Sequence, residues 1–280
     1  MKLKDFRAFF NQELSKTYPK TEIDALFFRL IEHELNFQLT DVFTKPDFSI
    51  SDESMSFMKS VVTRLQKEEP IQYILGSTNF YGLEFKVNPN VLIPRPETEE
   101  LVSWVIEEIG DKELSVLDIG TGSGCIPITV KQKSPQTEVT AIDISNSALQ
   151  IAKENANHHK TTINFIELDI LSTNKLSQKF DIIISNPPYV RELEKAEIKN
   201  NVLQNEPSLA LFVDNDKPLV FYIKIAELAK EYLTENGVLF FEINQYLGTE
   251  TKQMLENKGF TNVTLKKDLF GNDRMIKAFL

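Results

Sequence analysis

An asparagine, two prolines and a tyrosine, Asn186-Pro187-Pro188-Tyr189, stand directly after the apolar run Ile182–Ile184. The prolines fix the backbone φ angles and remove two N–H donors, which leaves carbonyl oxygens free to face a ligand. The side-chain oxygen of Asn186 and the carbonyl of Pro187 can accept the two hydrogens of a planar NH2 group. Tyr189 can stack on that group. The pattern predicts a catalytic and substrate-binding site for a flat nitrogen; a rigid turn with a core tyrosine is the alternative.

A glycine-rich turn follows an earlier apolar run in the segment Asp118-Ile119-Gly120-Thr121-Gly122-Ser123-Gly124. Glycines at alternate positions let the backbone turn sharply and approach a ligand closely. Asp143 lies near the interval at which nucleotide-binding sheets place an acid against ribose hydroxyls. A plain strand-to-helix connection and a nicotinamide dinucleotide site are both compatible with these features.

Asp118, which precedes the glycine turn, distinguishes a sulfonium cofactor from a dinucleotide. Asp118 can bind near the positive charge of a sulfonium cofactor and its α-amino group, whereas it would repel a pyrophosphate. The spacing also departs from the G-x-G-x-x-G pattern of dinucleotide sites. After a third apolar run, Asp169 could accept from an adenine amino group and Ile170 could pack on the ring. We therefore predict S-adenosylmethionine as the cofactor. The expected contacts are Asp118, Gly120, Thr121, Gly122, Ser123, Gly124, Asp143, Asp169 and Ile170.

These two sites together predict methyl transfer to an amide or amino nitrogen. An amide nitrogen is a poor nucleophile because its lone pair is delocalised, so holding it in line with the sulfur-bound methyl is most of the catalysis. A general base of high pKa is not needed, since the proton can leave after the nitrogen has gained positive charge.

The elements that must position these residues alternate between apolar strands and amphipathic helices. A helix is predicted over Glu99–Ile109, followed by strands at Leu114–Leu117, Val139–Ile142, Ile163–Ile166, Ile182–Ile184 and Val238–Phe241. This rhythm predicts an α/β fold with a mostly parallel, Rossmann-like sheet. Two final strand-like segments, Val263–Leu265 and Met275–Phe279, leave no room for a helix between them and predict an antiparallel hairpin that closes the sheet.

The N-terminal part has a different pattern. Apolar residues recur at helical spacing from Leu3 to about Leu65, which predicts a small all-helical domain of four or five helices. Short runs such as Tyr73–Leu75 and Leu83–Val87 then alternate with glycines and predict a β-hairpin connector. The expected domains are residues 1–71 (helical), 72–94 (hairpin linker) and 95–280 (catalytic).

The net charge, the cysteine content and the hydrophobic runs limit which partners and which cellular compartment we expect. The net charge of -10 argues against a surface that holds a long nucleic acid. Cys125 is the single cysteine, so we expect no intramolecular disulfide and no cysteine-based metal site, and His33, His158 and His159 have no metal-ligand spacing. We find no signal peptide and no apolar run long enough to cross a membrane, and therefore expect a cytoplasmic protein.

Nearly the whole chain resembles the release factor glutamine methyltransferase family. Beside the two sites above, the resemblance rests on the linker motifs Pro70–Gly76, Phe80-Tyr81-Gly82 and Val91–Glu99, and on later matches that include Glu206-Pro207, Phe221-Tyr222, Glu242-Ile243 and Asp273-Arg274. The resemblance implies a helical domain that helps to recognise the release factor and a Rossmann-like catalytic domain.

The family's activity, by the same resemblance, is transfer of a methyl group to N5 of the glutamine in the Gly-Gly-Gln loop of class I peptide chain release factors, which modulates translation termination. Asn186–Tyr189 would hold that glutamine, and Asn186 would also contact the cofactor. We expect a monomer. The chain departs from the family at Val213–Lys217, where a glycine-rich segment is frequent, and at Asn244, where glycine is usual. Both departures put loop conformation in question and leave the expected chemistry intact.

Two other functions remain open on the residues alone. An N6-adenine or other exocyclic-amine methyltransferase on nucleic acid would also use Asn186–Tyr189, with the base flipped into the site. The acidic charge and the lack of an evident basic reading domain count against it. A cofactor-binding protein without catalysis, docking through its helical domain, is the third possibility.

Overall fold

The computed structural model describes residues 1–280, and the chain forms two compact units. One unit comprises Met1–Gly76 and the later segment Lys199–Asn205. The other comprises Ser77–Ile198 and Glu206–Leu280.

The first unit is helical, as the apolar spacing predicts. Its core is formed by one face of each helix, and Phe6, Phe10 and Phe27 are fully buried in it. The hydroxyl of Ser51 accepts a hydrogen bond from the amide of Ser54 and so caps the fourth helix. The helices are α1 (Leu3–Leu14), α2 (Lys20–Leu35), α3 (Leu39–Thr44), α4 (Asp52–Leu65) and α5 (Ile71–Leu75), with a short helix at Asn200–Asn205.

The predicted strand at Tyr73–Leu75 is wrong, because these residues belong to α5. Pro70 precedes the first residue of this helix, and Gly76 ends it with a left-handed φ of 77°. A short apolar run does not by itself distinguish one helical turn from a strand.

The second unit contains a hairpin and an alternation of strands and helices. The hairpin pairs β1 (Ser77–Phe80) with β2 (Leu83–Lys86) in antiparallel register. The elements that follow in this unit are α6 (Pro96–Ile109), β3 (Ser115–Ile119), α7 (Cys125–Lys133), β4 (Glu138–Asp143), α8 (Asn146–His158), β5 (Asn164–Glu167), β6 (Phe180–Ser185), β7 (Val190–Arg191), β8 (Phe212–Val213), α10 (Val220–Tyr232), β9 (Leu233–Glu242), α11 (Gly248–Asn257), β10 (Thr261–Lys267) and β11 (Asp273–Phe279). The short helix Asn200–Asn205 of the first unit is α9.

The central sheet has seven strands in the order β10-β11-β9-β6-β3-β4-β5. Strands β3, β4, β5, β6 and β9 are parallel, and β11 pairs antiparallel with both β9 and β10. The predicted mostly parallel sheet with a closing antiparallel hairpin is therefore confirmed. None of the helices is both long and apolar enough to cross a membrane.

Both faces of the sheet are covered, and neighbouring side chains on a strand point to opposite faces. On β3, Leu117 and Ile119 pack in one apolar cluster with α10, whereas Val116 packs in the other with residues of α6 and α7. The carboxyl ends of the parallel strands meet at one edge of the sheet, which is where open α/β sheets bind ligands.

Candidate active site

A cavity of about 260 Å³ lies at the carboxyl edge of the parallel strands. Its wall includes the ends of β3, β4 and β6, the segments that precede α6, follow β5 and precede β8, and residues of α10. The lining residues include Val91, Leu92, Gly120, Gly122, Asp143, Leu168, Asp169, Ile170, Asn186, Pro187, Pro188, Pro207, Leu209, Phe221 and Ile225.

The glycine turn forms one wall of the cavity. Gly120 and Gly122 line it with φ angles of 77° and 54°, a left-handed region that other residues rarely adopt. A Cβ atom added at Gly124 would lie 3.1 Å from the Cβ of Ala152 on α8, so glycine is also needed there for close packing. The turn thus places bare backbone against the cavity.

The Asp143 carboxylate is held by backbone amides at the end of β4. Its Oδ2 accepts from the amide of Gly122 at 2.8 Å and its Oδ1 from the amide of Ser145 at 2.9 Å. Burial raises the pKa of Asp143, and these amide hydrogen bonds oppose the effect. The remaining lone pairs can accept from two vicinal hydroxyls of a ribose.

Another part of the cavity lining is apolar. Leu168, Ile170, Phe221 and Ile225 line it, and Ile170 is buried. Asp169 also lines the cavity, and its Oδ1 accepts from the amide of Leu171 at 2.9 Å. A flat purine fits such walls, so the residues present fit S-adenosylmethionine: backbone and carboxylate for the polar parts and apolar side chains for the base.

A hydrogen-bond network orients the side chain of Asn186. Its Nδ2 donates to the hydroxyl of Thr98 at 3.3 Å, and that hydroxyl donates to Oε2 of Glu242 at 2.7 Å. The Asn186 side-chain oxygen receives no donor from the chain, and Asn186 lines the cavity. The side-chain oxygen of Asn186 is therefore available to accept from a substrate NH2 group, which is the role that the sequence predicts.

Glu242 is the buried centre of this network. Its Oε1 accepts from the Tyr189 hydroxyl at 3.0 Å, and 1% of the residue is exposed. Burial raises the pKa of Glu242, while the hydroxyls of Thr98 and Tyr189 and the charge of Arg274 act in the other direction. Burial likewise raises the pKa of Tyr189, with a further contribution from the Glu242 charge, so the phenol stays a donor.

The structure does not bring every expected residue to the cavity. Gly120, Gly122, Asp143, Asp169, Ile170, Asn186, Pro187 and Pro188 line it, and the remaining expected residues do not: Asp118, Thr121, Ser123, Gly124 and Tyr189. The hydroxyl of Tyr189 donates to Glu242, so this residue supports the segment 186–188 and does not form part of the lining.

Asp118 is fully buried, and neither of its carboxylate oxygens has a hydrogen-bond partner. Burial raises the pKa of this carboxyl to about 7. The placement follows from strand alternation: Ile119 lines the cavity, so the preceding side chain points to the other face of the sheet. Asp118 therefore does not line the cavity, and its expected position near the cofactor stays a prediction.

Sequence reasoning missed the functional positions of Thr98 and Glu242. Both lie in segments that match the family, yet they are 88 and 56 positions from Asn186, so local spacing could not join them. The contact of Arg95 also depends on the fold, because its Nη2 lies 2.6 Å from Oε1 of the buried Glu206. Oε2 of Glu206 accepts from the amide of Ile93 at 3.1 Å.

The departure at Asn244 is accommodated by a second network. Its Nδ2 donates to the carbonyl of Tyr189 at 2.9 Å and to Oε2 of Glu194 at 2.9 Å, and its Oδ1 accepts from the amide of Tyr246 at 2.9 Å. The other departure begins in β8, and Oδ1 of Asn215 accepts from the amide of Leu193 at 3.1 Å. Both segments are ordered by contacts of their own side chains.

Comparison with solved structures supports the class of the fold. A 16S rRNA N2 G1207 methyltransferase of T. thermophilus, solved with AdoMet and guanosine, aligns over 72% of this chain and 49% of its own with a TM-score of 0.53 and 19% identity. A methyltransferase of Pyrococcus furiosus aligns over 80% of this chain and 98% of its own with a TM-score of 0.51 and 17% identity. At these identities the likeness concerns the fold: a class I methyltransferase.

Sequence comparison defines the family. The model of the methyltransferase small domain matches residues 98–210, and that of the PrmC N-terminal domain matches residues 5–76. A release factor glutamine methyltransferase of Flavobacterium psychrophilum is 50% identical over 99% of this chain and 99% of its own, and one of Bacteroides thetaiotaomicron is 43% identical over 97% and 98%. The chain belongs to the release factor glutamine methyltransferase family.

Proposed function

We propose that this protein transfers a methyl group from S-adenosylmethionine to N5 of the glutamine in the Gly-Gly-Gln loop of class I peptide chain release factors. The observation that carries the proposal is the oxygen of Asn186, which lines the cavity and is free to accept while its amide nitrogen is held by Thr98. Membership of the family supports the identity of the acceptor.

The proposed cofactor contacts are the cavity-lining members of the expected set. Asp143 binds the ribose hydroxyls, Gly120 and Gly122 let the ligand approach the backbone, and Ile170 packs on the base. S-adenosylmethionine supplies, when bound, a methyl group on a cationic sulfur. Asp118, buried directly before the glycine turn, attracts the cationic part of the cofactor when its carboxyl is ionised.

The proposed acceptor contacts centre on residues 186–188. The Asn186 oxygen and the Pro187 carbonyl accept the two hydrogens of the glutamine amide, which fixes its nitrogen and excludes rotation. Proline at 187 and 188 keeps this corner stiff, so little reorganisation is needed when the nitrogen attacks. The surplus proton leaves after the nitrogen has become cationic.

Exposed apolar side chains at the same edge of the sheet support a protein acceptor. They belong to segments that follow β4, β5, β6 and β9 or precede β11, and all of these segments lie at the carboxyl edge of the parallel strands. The residues are Ile144, Leu171, Leu193, Leu209, Tyr246, Leu269 and Phe270, and the last two are 88% and 77% exposed. A bound protein would cover this surface.

We propose the domain roles that the resemblance implies. Residues 1–71 contribute to recognition of the release factor, residues 72–94 link the domains, and residues 95–280 carry out catalysis. The action of the protein is expected in the cytoplasm, as a monomer.

An exocyclic-amine methyltransferase on nucleic acid is the second candidate, because Asn186–Tyr189 suits any planar NH2 group. The net charge of -10 and the apolar edge disfavour a polyanionic acceptor. A binding protein without turnover is the third.

Incubation of the purified protein with radiolabelled S-adenosylmethionine and a purified class I release factor tests the proposal. We expect label in the release factor, and we expect Asn186→Ala to abolish transfer while cofactor affinity falls only modestly. Label that enters DNA or RNA in parallel reactions, with none in the release factor, would favour the second candidate. Cofactor binding without transfer to any of these acceptors would favour the third.

A further inference from the structure

The Glu242 carboxylate fixes which groups donate and which accept in the hydrogen bonds that lead to Asn186. Glu242, when ionised, can only accept, and it receives the hydroxyls of Thr98 at 2.7 Å and Tyr189 at 3.0 Å. A threonine hydroxyl has one proton. Once Thr98 has given that proton to Glu242, its oxygen can only accept from Asn186.

The amide of Asn186 has one donor end and one acceptor end. Because Thr98 accepts at 3.3 Å, the NH2 end faces Thr98 and the oxygen end faces the cavity. The opposite orientation would set an amide oxygen against the Thr98 oxygen, with no proton between them. Thr98 and Glu242 are 2% and 1% exposed, so water cannot easily supply the missing proton.

We propose that Thr98 and Glu242 are positioning residues that set the polarity of Asn186, so that the carboxylate makes the cavity-facing end of this side chain an acceptor for the substrate NH2 group. The inference rests on the proposed function and deepens it. Neither residue touches the reacting atoms; both act through Asn186.

A substitution that keeps shape and reverses hydrogen-bond direction separates this role from packing. In Glu242→Gln the amide nitrogen can donate to Thr98, whose proton then turns to Asn186 and favours the NH2 end in the cavity. The NH2 group of Asn186 would then face the NH2 group of the substrate amide, with no acceptor between them. Thr98→Val removes the link and keeps the volume, whereas Thr98→Ser keeps the hydroxyl.

The test compares the rate of methyl transfer to the release factor, cofactor affinity by calorimetry and thermal stability for these three variants. Thr129→Val is the matched control, because Thr129 is also a fully buried threonine but its hydroxyl contacts no polar partner. We expect kcat to fall about 100-fold in Thr98→Val and Glu242→Gln, the scale of a misplaced catalytic contact. Thr98→Ser and Thr129→Val should stay within about threefold of the unsubstituted protein, and cofactor affinity should change little in all four.

A spectroscopic readout does not depend on turnover. The side-chain amide resonances of Asn186, assigned by their loss in Asn186→Asp, should shift in Thr98→Val and Glu242→Gln and stay in place in Thr98→Ser and Thr129→Val. If Glu242→Gln does not fold, the Thr98 variants decide the question alone.

Unchanged kcat and unchanged Asn186 resonances in Thr98→Val would overturn the inference. Equal losses in Thr98→Ser and Thr98→Val would also overturn it, because a packing defect would then explain both. Failure of the proposed function has a different signature: the unsubstituted protein would transfer no methyl group to the release factor, while the Asn186 resonances would still report its orientation.

Discussion

At the scale of single residues, Asp143 carries the cofactor assignment that is easiest to test. Asp143→Ala removes a carboxylate that lines the cavity and accepts from two backbone amides. We expect the dissociation constant of S-adenosylmethionine to rise about 10- to 100-fold, since a hydrogen bond to a charged group is worth about 1.5–3 kcal/mol.

Calorimetric titration of the purified variant with S-adenosylmethionine measures this change. Asp169→Ala is a useful comparison, because Asp169 also lines the cavity but is held by one backbone amide, that of Leu171. Wild-type affinity in Asp143→Ala would show that the ribose does not lie against β4.

Residue identities predict this site unevenly. Gly120, Asp143 and Asn186 could be chosen from the sequence because each follows an apolar strand, and the carboxyl ends of parallel strands share one edge. Asp118 is harder to place from sequence, since its position relative to the cavity depends on which face of the sheet β3 turns towards it. Thr98 and Glu242 could not be joined to Asn186, because only the fold brings α6 and the end of β9 together.

At the scale of secondary-structure elements, an ion pair between a partly exposed arginine and a buried glutamate joins two segments of the cavity wall. Val91 and Leu92 line the cavity just before Arg95, and Pro207 lines it just after Glu206. The carboxylate of Glu206 binds the Arg95 guanidinium at 2.6 Å, and its side chain is 1% exposed. The pair therefore holds both segments in place.

Arg95→Met should destabilise the protein by about 3 kcal/mol, because it leaves the Glu206 charge buried without its partner. For a unit of this size we expect the thermal midpoint to fall by roughly 6–12 °C. The double variant Arg95→Met/Glu206→Gln should recover part of the loss, since the unpaired charge is gone. Scanning calorimetry measures both; equal midpoints for the single variant and the unsubstituted protein would show that the pair contributes nothing.

Elements with strong periodicity were the most predictable from sequence. The five parallel strands, α6 and the closing hairpin lie where the alternation places them, with ends that differ by a few residues. The one-turn helix α5 was predicted as a strand because three apolar residues carry too little periodicity. The sheet order, in which β11 lies between β10 and β9, depends on long-range pairing.

At the scale of the whole molecule, the cavity chemistry, the exposed surface and the family all favour a protein as the methyl acceptor. The carboxyl edge of the sheet combines a nucleotide-sized cavity, an asparagine oxygen that can accept from a flat nitrogen, and exposed apolar side chains. The chain matches named release factor glutamine methyltransferases along nearly its full length. A protein acceptor that inserts one side chain into the edge accounts for all three features.

Tandem mass spectrometry of a release factor treated with this protein and S-adenosylmethionine tests the central claim most directly. We predict one added methyl group, located on the side-chain nitrogen of the glutamine in the Gly-Gly-Gln loop and absent when Asn186→Ala replaces the unsubstituted protein. A methyl group on any other residue, or an unmodified release factor alongside a methylated nucleic acid, would contradict the account.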